Sequence, residues 1–351
     1  MSTFSAPVVA IRAIEPIPNA DAIELAVVGE YRSVVRKGQF NPGDRAIYLP
    51  EAAVLPDGLI ERLGLVGKLA GSQKNRIKAI KLRGCLSQGI LYDAAPDAAE
   101  VGADMAEALG IVKYEPPIPE HMGGDLANLF GYPVKYDIEN YKANHSLIPD
   151  GEVVEFTEKA HGTFCGVAVH PGLERPELFD NDGFVYSKGL GSKGLVFKNN
   201  DDNFHNIYVA TARENDIHAR IRAAFPGEAV HVLGEVYGRG VQDLAYGLTG
   251  RGFAVFDIKV GCAFLGRDAL DDAVRRLGLR RVPVLYRGPF SRDVLYQHTD
   301  GKTVIGDGAH IREGVVVTPV TERIADHFGR VILKSVSGDY LTRKGETTEF
   351  T

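Results

Sequence analysis

Short runs that alternate apolar with polar residues dominate the first 92 positions. Val8–Ile14, Ile23–Val28, Arg32–Arg36, Arg45–Leu49, Ile77–Leu82 and Leu86–Tyr92 read as strands, with turns supplied by Lys37-Gly38 and Pro42-Gly43-Asp44. Helical periodicity is almost absent there, which predicts a small closed β-barrel over residues 1–92. In RIKAIKLR the alternation slips by one residue at Ala79-Ile80, as a bulge requires. From Asp93 the composition turns to Ala, Pro, Asp and Glu, with a brief helical pattern near Met105–Leu109, and 93–131 is read as a linker. Tyr132–His145 mixes aromatic and polar residues without a clear period. Beyond it, strand-like runs return: Val153–Thr157, FVYSK, AVHVLG, FAVFDI, GVVV and VILKS. They are interrupted by a helical pattern built on Phe204, Ile207, Tyr208 and Ile221.

The second half is organised around Gly151–Gly166, GEVVEFTEKAHGTFCG, which delivers Lys159 to a turn marked by His161, Gly162 and Thr163. Gly162 can take a positive φ and let a ligand come close to the backbone. A lysine beside a turn is ordinarily a solvated surface group. It becomes a nucleophile only where desolvation or nearby positive charge lowers its pKa. Glu235 and Glu313 each sit against an apolar run and are read as carboxylates aimed into a cleft. Two such groups suit one divalent ion completed by water and phosphate oxygens. Lys334 is a cation in an apolar strand, costly unless it meets an anion.

The stretch GLGSKG, Gly189–Gly194, matches the glycine spacing of a dinucleotide-binding turn. That fold needs a helix opening inside the glycines and an acidic residue at a following strand end. NNDDN at Asn199–Asn203 interrupts the helix, and Glu214 and Asp216 fall in a helical pattern. Lys188, Lys193 and Lys198 fit instead a loop that meets phosphates. The densest basic run, Lys74, Arg76, Lys78, Lys81 and Arg83, is either a solvated barrel face or a nucleic-acid contact.

The order of these segments carries a resemblance. EKAHGT resembles the first motif, K-x-(D/H)-G-(T/S), of the covalent nucleotidyltransferases, which comprise ATP-dependent DNA and RNA ligases and mRNA capping enzymes. Glu158 and His161 look most like the nick-sealing phage RNA ligases. SKG at Ser187–Gly189, GEVYG at Glu235, VFDI at Phe256–Ile258, EGVVV at Glu313 and LKS at Lys334 follow in the family's order. KGQFNPGDRAIYLPEAAVLP with LRGCLSQG is similar to the amino-terminal OB domain of one RNA ligase subgroup.

The resemblance implies an α+β protein, an amino-terminal OB-like β-barrel followed by an antiparallel-sheet adenylyltransferase domain over 132–351. It implies an ATP-dependent RNA ligase that uses Mg²⁺ or Mn²⁺ and joins 3′-OH and 5′-phosphate ends, most naturally in a nicked duplex. Lys159 would attack the α-phosphate and carry AMP, and Glu158 would read the adenine amino group. His161, Gly162, Lys188, Glu235, Phe256, Glu313 and Lys334 would line the nucleotide, with Glu235 and Glu313 on the metal. Lys74, Arg76, Lys78, Lys81, Arg83 and Lys193 would meet RNA. The departures are a single lysine in the last motif, between Ile332 and Val336, and Lys188 where an arginine is usual. Only 17 residues follow Lys334, which leans away from DNA ligases and capping enzymes with a carboxy-terminal OB domain. A DNA nick ligase with reordered domains and a non-enzymatic RNA-binding protein are the alternatives.

Composition narrows the setting. At 351 residues, 44% hydrophobic and 25% charged, the chain buries cores for two domains. Cys85, Cys165 and Cys262 are too few and too far apart for a disulfide framework or a metal-ligand pair, so a reducing cytoplasm is expected. No apolar run approaches membrane-spanning length, and a monomer away from membranes is expected. A net charge of −6 argues against a nucleic-acid-coating protein but leaves room for a local basic face.

Overall fold

A computed structural model describes residues 4–95, 99–115 and 123–343, which divide into two compact units. One unit is Met1–Pro116 with Glu139–His145 and Gly338–Thr351. The other is Pro117–Ile138 with Ser146–Ser337. Among the described residues no helix is long and apolar enough to cross a membrane.

In the first unit the expected strands form, with one instructive change. The opening run splits into Val8–Ala10 and Ala13–Pro16, which join two different three-stranded antiparallel sheets. Val8–Ala10 pairs with Arg45–Leu49, which pairs with Ile90–Tyr92, while Ala13–Pro16 pairs with Ile23–Val28 and that with Tyr31–Arg36. At the corner the Ile11 N–H donates to the Asp44 carbonyl and the Arg12 N–H to the Val27 carbonyl, so the chain changes sheets without orphaning a backbone donor. Ile11, Ala26, Val28, Val35, Phe40, Ala46, Tyr48 and Leu91 fill the space between the sheets. A helix the pattern did not show, Asp57–Leu63, closes on Gly64 in the left-handed region.

Two expectations change here. The strand expected over Ile77–Leu82 begins only at Ile80, and Ile80–Leu82 forms a hairpin with Cys85–Ser87. Ile77 and Ala79 are buried while Ile80 and Leu82 are exposed, which is the slip read from the sequence expressed as a strand break. The stretch 93–131, read as a linker, is structured wherever it is described. Val8 N–H donates to Ala103, Met105 N–H to Ala6, and Val112–Lys113 pairs with Ala53–Val54. Leu126–Asn128 is an edge strand of the second unit's main sheet. Residues 96–98 and 116–122 of that stretch lie outside the described residues.

The second unit carries two antiparallel sheets. The larger has the order Leu126–Asn128, Leu195–Phe197, Gly183–Ser187, Gly162–Val169, Val230–Gly238, Arg251–Val260, Ala263–Phe264. The smaller orders Leu333–Val336, Gly314–Pro319, Val153–Glu158, Val284–Pro289. Helices Ile207–Glu214, Ile217–Ala224 and Arg267–Leu277 cover one face of the large sheet through Cys165, Val167, Val232, Val255, Ile217 and Leu270. The opposite face gathers Phe164, Phe184, Tyr186, Leu233 and the partly buried Phe256, together with Val316 and Ile332 from the small-sheet region. The strands flanking the GLGSKG turn are antiparallel neighbours, with Val185 opposite Phe197, so the turn is not the crossover of a parallel dinucleotide fold.

Two buried histidines of this unit stay neutral. Burial above all lowers His218 to about 4, and lowers His231 to about 3 with help from His170 and Lys259. The unfolded chain takes up these protons near pH 6.5 and the folded chain does not. Stability is therefore full above about pH 6.5 and falls as pH drops, by up to about 1.4 kcal/mol per pH unit per histidine. The melting temperature should decline between about pH 7 and about pH 5, and His218→Gln should flatten that slope. An unchanged slope in the variant would assign the acid sensitivity to other groups.

Candidate functional site

Lys159, Ala160 and His161 are the whole link between strand Val153–Glu158 of the small sheet and strand Gly162–Val169 of the large one. The lysine therefore stands where the two sheets diverge. Its N–H donates to the Gly314 carbonyl at 3.0 Å, continuing the pairing of Glu158 with Val315 by one step. Side chains alternate across a strand, and residues directly opposite share a face. Thr157, Val316 and Lys334 lie on one face of the small sheet, and Lys159, two residues past Thr157, continues it. Val316 packs into the aromatic cluster that contains Phe256, so this face looks onto that cluster.

The Lys159 side chain is 15% exposed, and its Nζ donates to Glu313 Oε1 at 2.7 Å. Glu313 is 1% exposed and its other oxygen, Oε2, has no hydrogen-bond partner. His161 stands beside it, with Nδ1 3.7 Å from Glu313 Oε2 and Nε2 2.6 Å from Asp243 Oδ1. The His161 N–H donates to the Tyr246 hydroxyl at 2.6 Å. Burial raises the Tyr246 pKa, the His161 bond opposes this, and the charges of Glu313, Glu158 and Glu235 raise it further. Those three carboxylates thus act on a single hydroxyl. Glu235 is half-buried on strand Val230–Gly238, opposite Phe164 and Ala254.

Gly162 is required for a reason other than the one its sequence suggests. Its φ is not positive. A Cβ there would sit 2.1 Å from the Val236 carbonyl oxygen and 3.0 Å from Glu235 Cγ. The glycine lets the lysine-bearing link press against the strand that carries Glu235. Gln242 donates to its carbonyl.

The expected role of Glu158 in reading adenine does not fit its side chain. Glu158, Val315 and Ser335 share the face of the small sheet opposite Lys159 and Lys334. The Glu158 carboxylate accepts from the Thr303 hydroxyl and from Val304 N–H at 2.8 Å, and burial raises its pKa. Alternation put it next to the lysine in sequence and behind it in space. Arg76, expected on RNA, is also displaced: it is 8% exposed, exchanges two backbone bonds with Ala70 and stacks on Tyr114 at 4.2 Å. Lys74, Lys81 and Arg83 are exposed and Lys78 half-buried; Lys81 pairs with Asp339 at 2.5 Å. Lys188 begins a five-residue helix and pairs with Asp137 at 3.0 Å, and Lys193 is exposed just past that helix.

Several groups gave no signal in sequence. The ring of Tyr136 lies 5.1 Å from that of Phe256, and its hydroxyl donates to Asp257 at 2.7 Å. Asp257 is fully buried between Arg267 and Arg330, and Arg330 crosses Phe264 at 4.0 Å. The partly exposed Phe256 ring is therefore backed by a second ring and by a buried ion network. Asp243 and Tyr246 come from an irregular connection with no periodic pattern to mark them.

A divalent ion fits this donor set through Glu313 Oε2, a buried oxygen without a partner, and Glu235 on the adjoining sheet. Among the described residues no group of three or more His, Cys, Asp or Glu is arranged to hold a metal.

A family model described as RNA ligase matches residues 152–336, and one described as an OB-fold domain matches residues 5–94. No curated protein is matched. Among solved structures, a mutant of the Naegleria gruberi RNA ligase with ATP and Mn superposes with a TM-score of 0.78 at 23% identity, covering 95% of this chain and 97% of that one. The same ligase with PPi gives 0.79 at 24% identity, covering 97% and 98%. At such identity the likeness establishes the fold, an OB domain followed by an antiparallel-sheet ligase domain. Since the RNA ligase model spans more than half of its length, the chain belongs to the RNA ligase family.

Proposed function

We propose that this chain joins RNA 3′-OH and 5′-phosphate ends at the expense of ATP, through AMP carried on Lys159. The observation that carries the reading is a largely buried lysine in the link between the sheets, 2.7 Å from a carboxylate whose second oxygen is unpartnered. Lys159 Nζ attacks the α-phosphorus, a P–N bond forms and pyrophosphate leaves. An oxygen of the RNA 5′-phosphate then displaces the lysine from that phosphorus. Finally the 3′-OH attacks the 5′-phosphorus and AMP leaves. Each step asks for alignment and charge stabilisation rather than new covalent chemistry from the protein.

The residues divide this work. Phe256, held by Tyr136, offers a flat face for the purine, and Lys334, on the Lys159 face of its sheet, offers positive charge to the α-phosphate. Gly162 keeps the link close enough for Glu235 and Glu313 to act at one place. Mg²⁺ or Mn²⁺ bound by Glu235 and Glu313 would neutralise phosphate charge and weaken the hold of Glu313 on the lysine proton. The likeness to a ligase solved with ATP and Mn, and with AMP and Mn, supports these partners. Three unpaired cysteines support a reducing cytoplasm, and the protein is read as working there as a monomer.

Incubation with ATP labelled at the α-phosphate and Mg²⁺ should leave a protein band that resists mild alkali and is lost in acid, as a P–N bond requires. The protein should then seal a nicked RNA duplex faster than an all-DNA nick, because the 2′-hydroxyl and A-form geometry distinguish the two. Absence of the band would sink the reading.

The barrel is proposed to hold RNA through Lys74, Lys78, Lys81 and Arg83. Reversing Lys78, Lys81 and Arg83 to glutamate should leave labelling intact. Sealing should weaken, more so as salt rises from about 50 to about 200 mM, since phosphate contacts act through counterion release. Full sealing by the triple variant across that range would make this face ordinary solvated surface.

A further inference from the structure

Leu126–Asn128 pairs antiparallel with Leu195–Phe197, Asn128 standing opposite Leu195. Beyond the strand the pairing continues, because Leu129 N–H donates to the Gly194 carbonyl at 2.8 Å. The pairing ends there: Phe130 enters a turn, and the residue before Gly194, Lys193, caps the short helix Lys188–Ser192. Phe130 is 82% exposed, the most exposed large apolar residue described, and Lys193 is also exposed.

The turn holding the ring is built rather than loose. Phe130 N–H donates to the Asn128 side chain at 3.0 Å, and Tyr132 N–H to Leu129 at 3.1 Å. Gly194 has a φ of +74°, and a Cβ on it would lie 2.8 Å from the Phe130 Cα. The glycine-rich turn is thus shaped to let Phe130 sit against it. A phenylalanine ring held out in water is unfavourable by itself. An exposed aromatic face packed against Gly194, with the exposed Lys193 next to that glycine in the chain, matches a nucleobase and the phosphate beside it.

We propose that Phe130 and Lys193 form a contact for one unstacked nucleobase of the RNA substrate and its adjoining phosphate, on the edge of the catalytic unit's large sheet. The proposal rests on the RNA ligase reading for its ligand. Sequence-tolerant stacking follows, because every base presents a π-face, with the cation adding a salt-dependent share.

The test uses the full chain and fluorescence anisotropy with a labelled nicked RNA duplex carrying a short single-stranded flank. Phe130→Ala should weaken binding about five- to tenfold with little change across salt, and Phe130→Trp should restore it. Lys193→Ala should weaken binding most at low salt. Labelling by ATP should match wild type in the Phe130 variants. Equal affinity in Phe130→Ala and wild type would overturn the proposal. So would loss of ATP labelling in Phe130→Ala, which would tie the ring to the nucleotide site, or a change of oligomeric state, which would make it a contact between copies. Failure of the wild-type protein to label with ATP strikes the proposed reaction and not this contact, which the binding measurement reads separately.

Discussion

Lys159→Ala should lose covalent labelling by ATP by more than about 10³-fold while still sealing an RNA strand supplied already adenylated at its 5′ end. In the proposed reaction the lysine is consumed only in forming the lysyl adenylate; the final displacement needs the 3′-OH, the leaving AMP and the charges around them. The variant also strands Glu313, buried and facing the space the ammonium occupied. A buried charge left without its partner costs about 3–5 kcal/mol, so Lys159→Met, which fills more of that space, belongs beside it. Both should label at background, and both should seal the adenylated strand at rates within about tenfold of wild type. If either variant seals that strand at background while its melting temperature stays close to wild type, Lys159 has a role in the last step beyond covalent attack.

The sequence marked this lysine and several residues around it but not their arrangement, and the physical reason is distance along the chain. Apolar runs and turn residues are local signals, and the barrel strands and the strand before Lys159 were legible from them, whereas the antiparallel sheets were expected only from the resemblance of the motifs. The link of Lys159, Ala160 and His161 was legible as a turn, not as the place where one sheet gives way to another. That depends on the pairing of Val153–Glu158 with Gly314–Pro319 and of Gly162–Val169 with Val230–Gly238. The same pairing decides that Glu158 faces away from its neighbour. It also gives Gly162 a steric task at Val236 in place of a conformational one. Residues 99–115 read as linker because their composition is small and acidic, yet Gly102, Ala103 and Met105 exchange backbone bonds with Ala6 and Val8, which composition does not encode. Arg76 was read as a surface cation, but its guanidinium stacks on Tyr114, from beyond the barrel strands. Among the ring and charge partners, Tyr136 reaches Asp257 across 121 positions, and no motif spacing carries that information.

Glu313 is where removal of a single charge should damage every step. Its Oε1 accepts from Lys159 Nζ, and its Oε2 is buried 3.7 Å from the His161 ring without a hydrogen bond. A carboxylate oxygen desolvated in this way costs about 1–3 kcal/mol or more, and a fold keeps such an arrangement where the group meets a charge during function. Glu313→Gln preserves the volume and removes the charge. It relieves the desolvation cost while leaving Lys159 without its ion pair, so the net change in stability should be small, within roughly 1–2 kcal/mol. Activity should respond quite differently. Labelling by ATP and sealing of a pre-adenylated strand should both fall by roughly two to three orders of magnitude, because the charge serves the phosphates in each displacement. Raising Mg²⁺ or Mn²⁺ should recover part of the loss if the variant has weakened ion binding rather than geometry. Glu235→Gln should share that metal dependence. A Glu313→Gln protein that labels poorly but seals the adenylated strand at the wild-type rate would confine Glu313 to holding Lys159, and would remove it from the metal site.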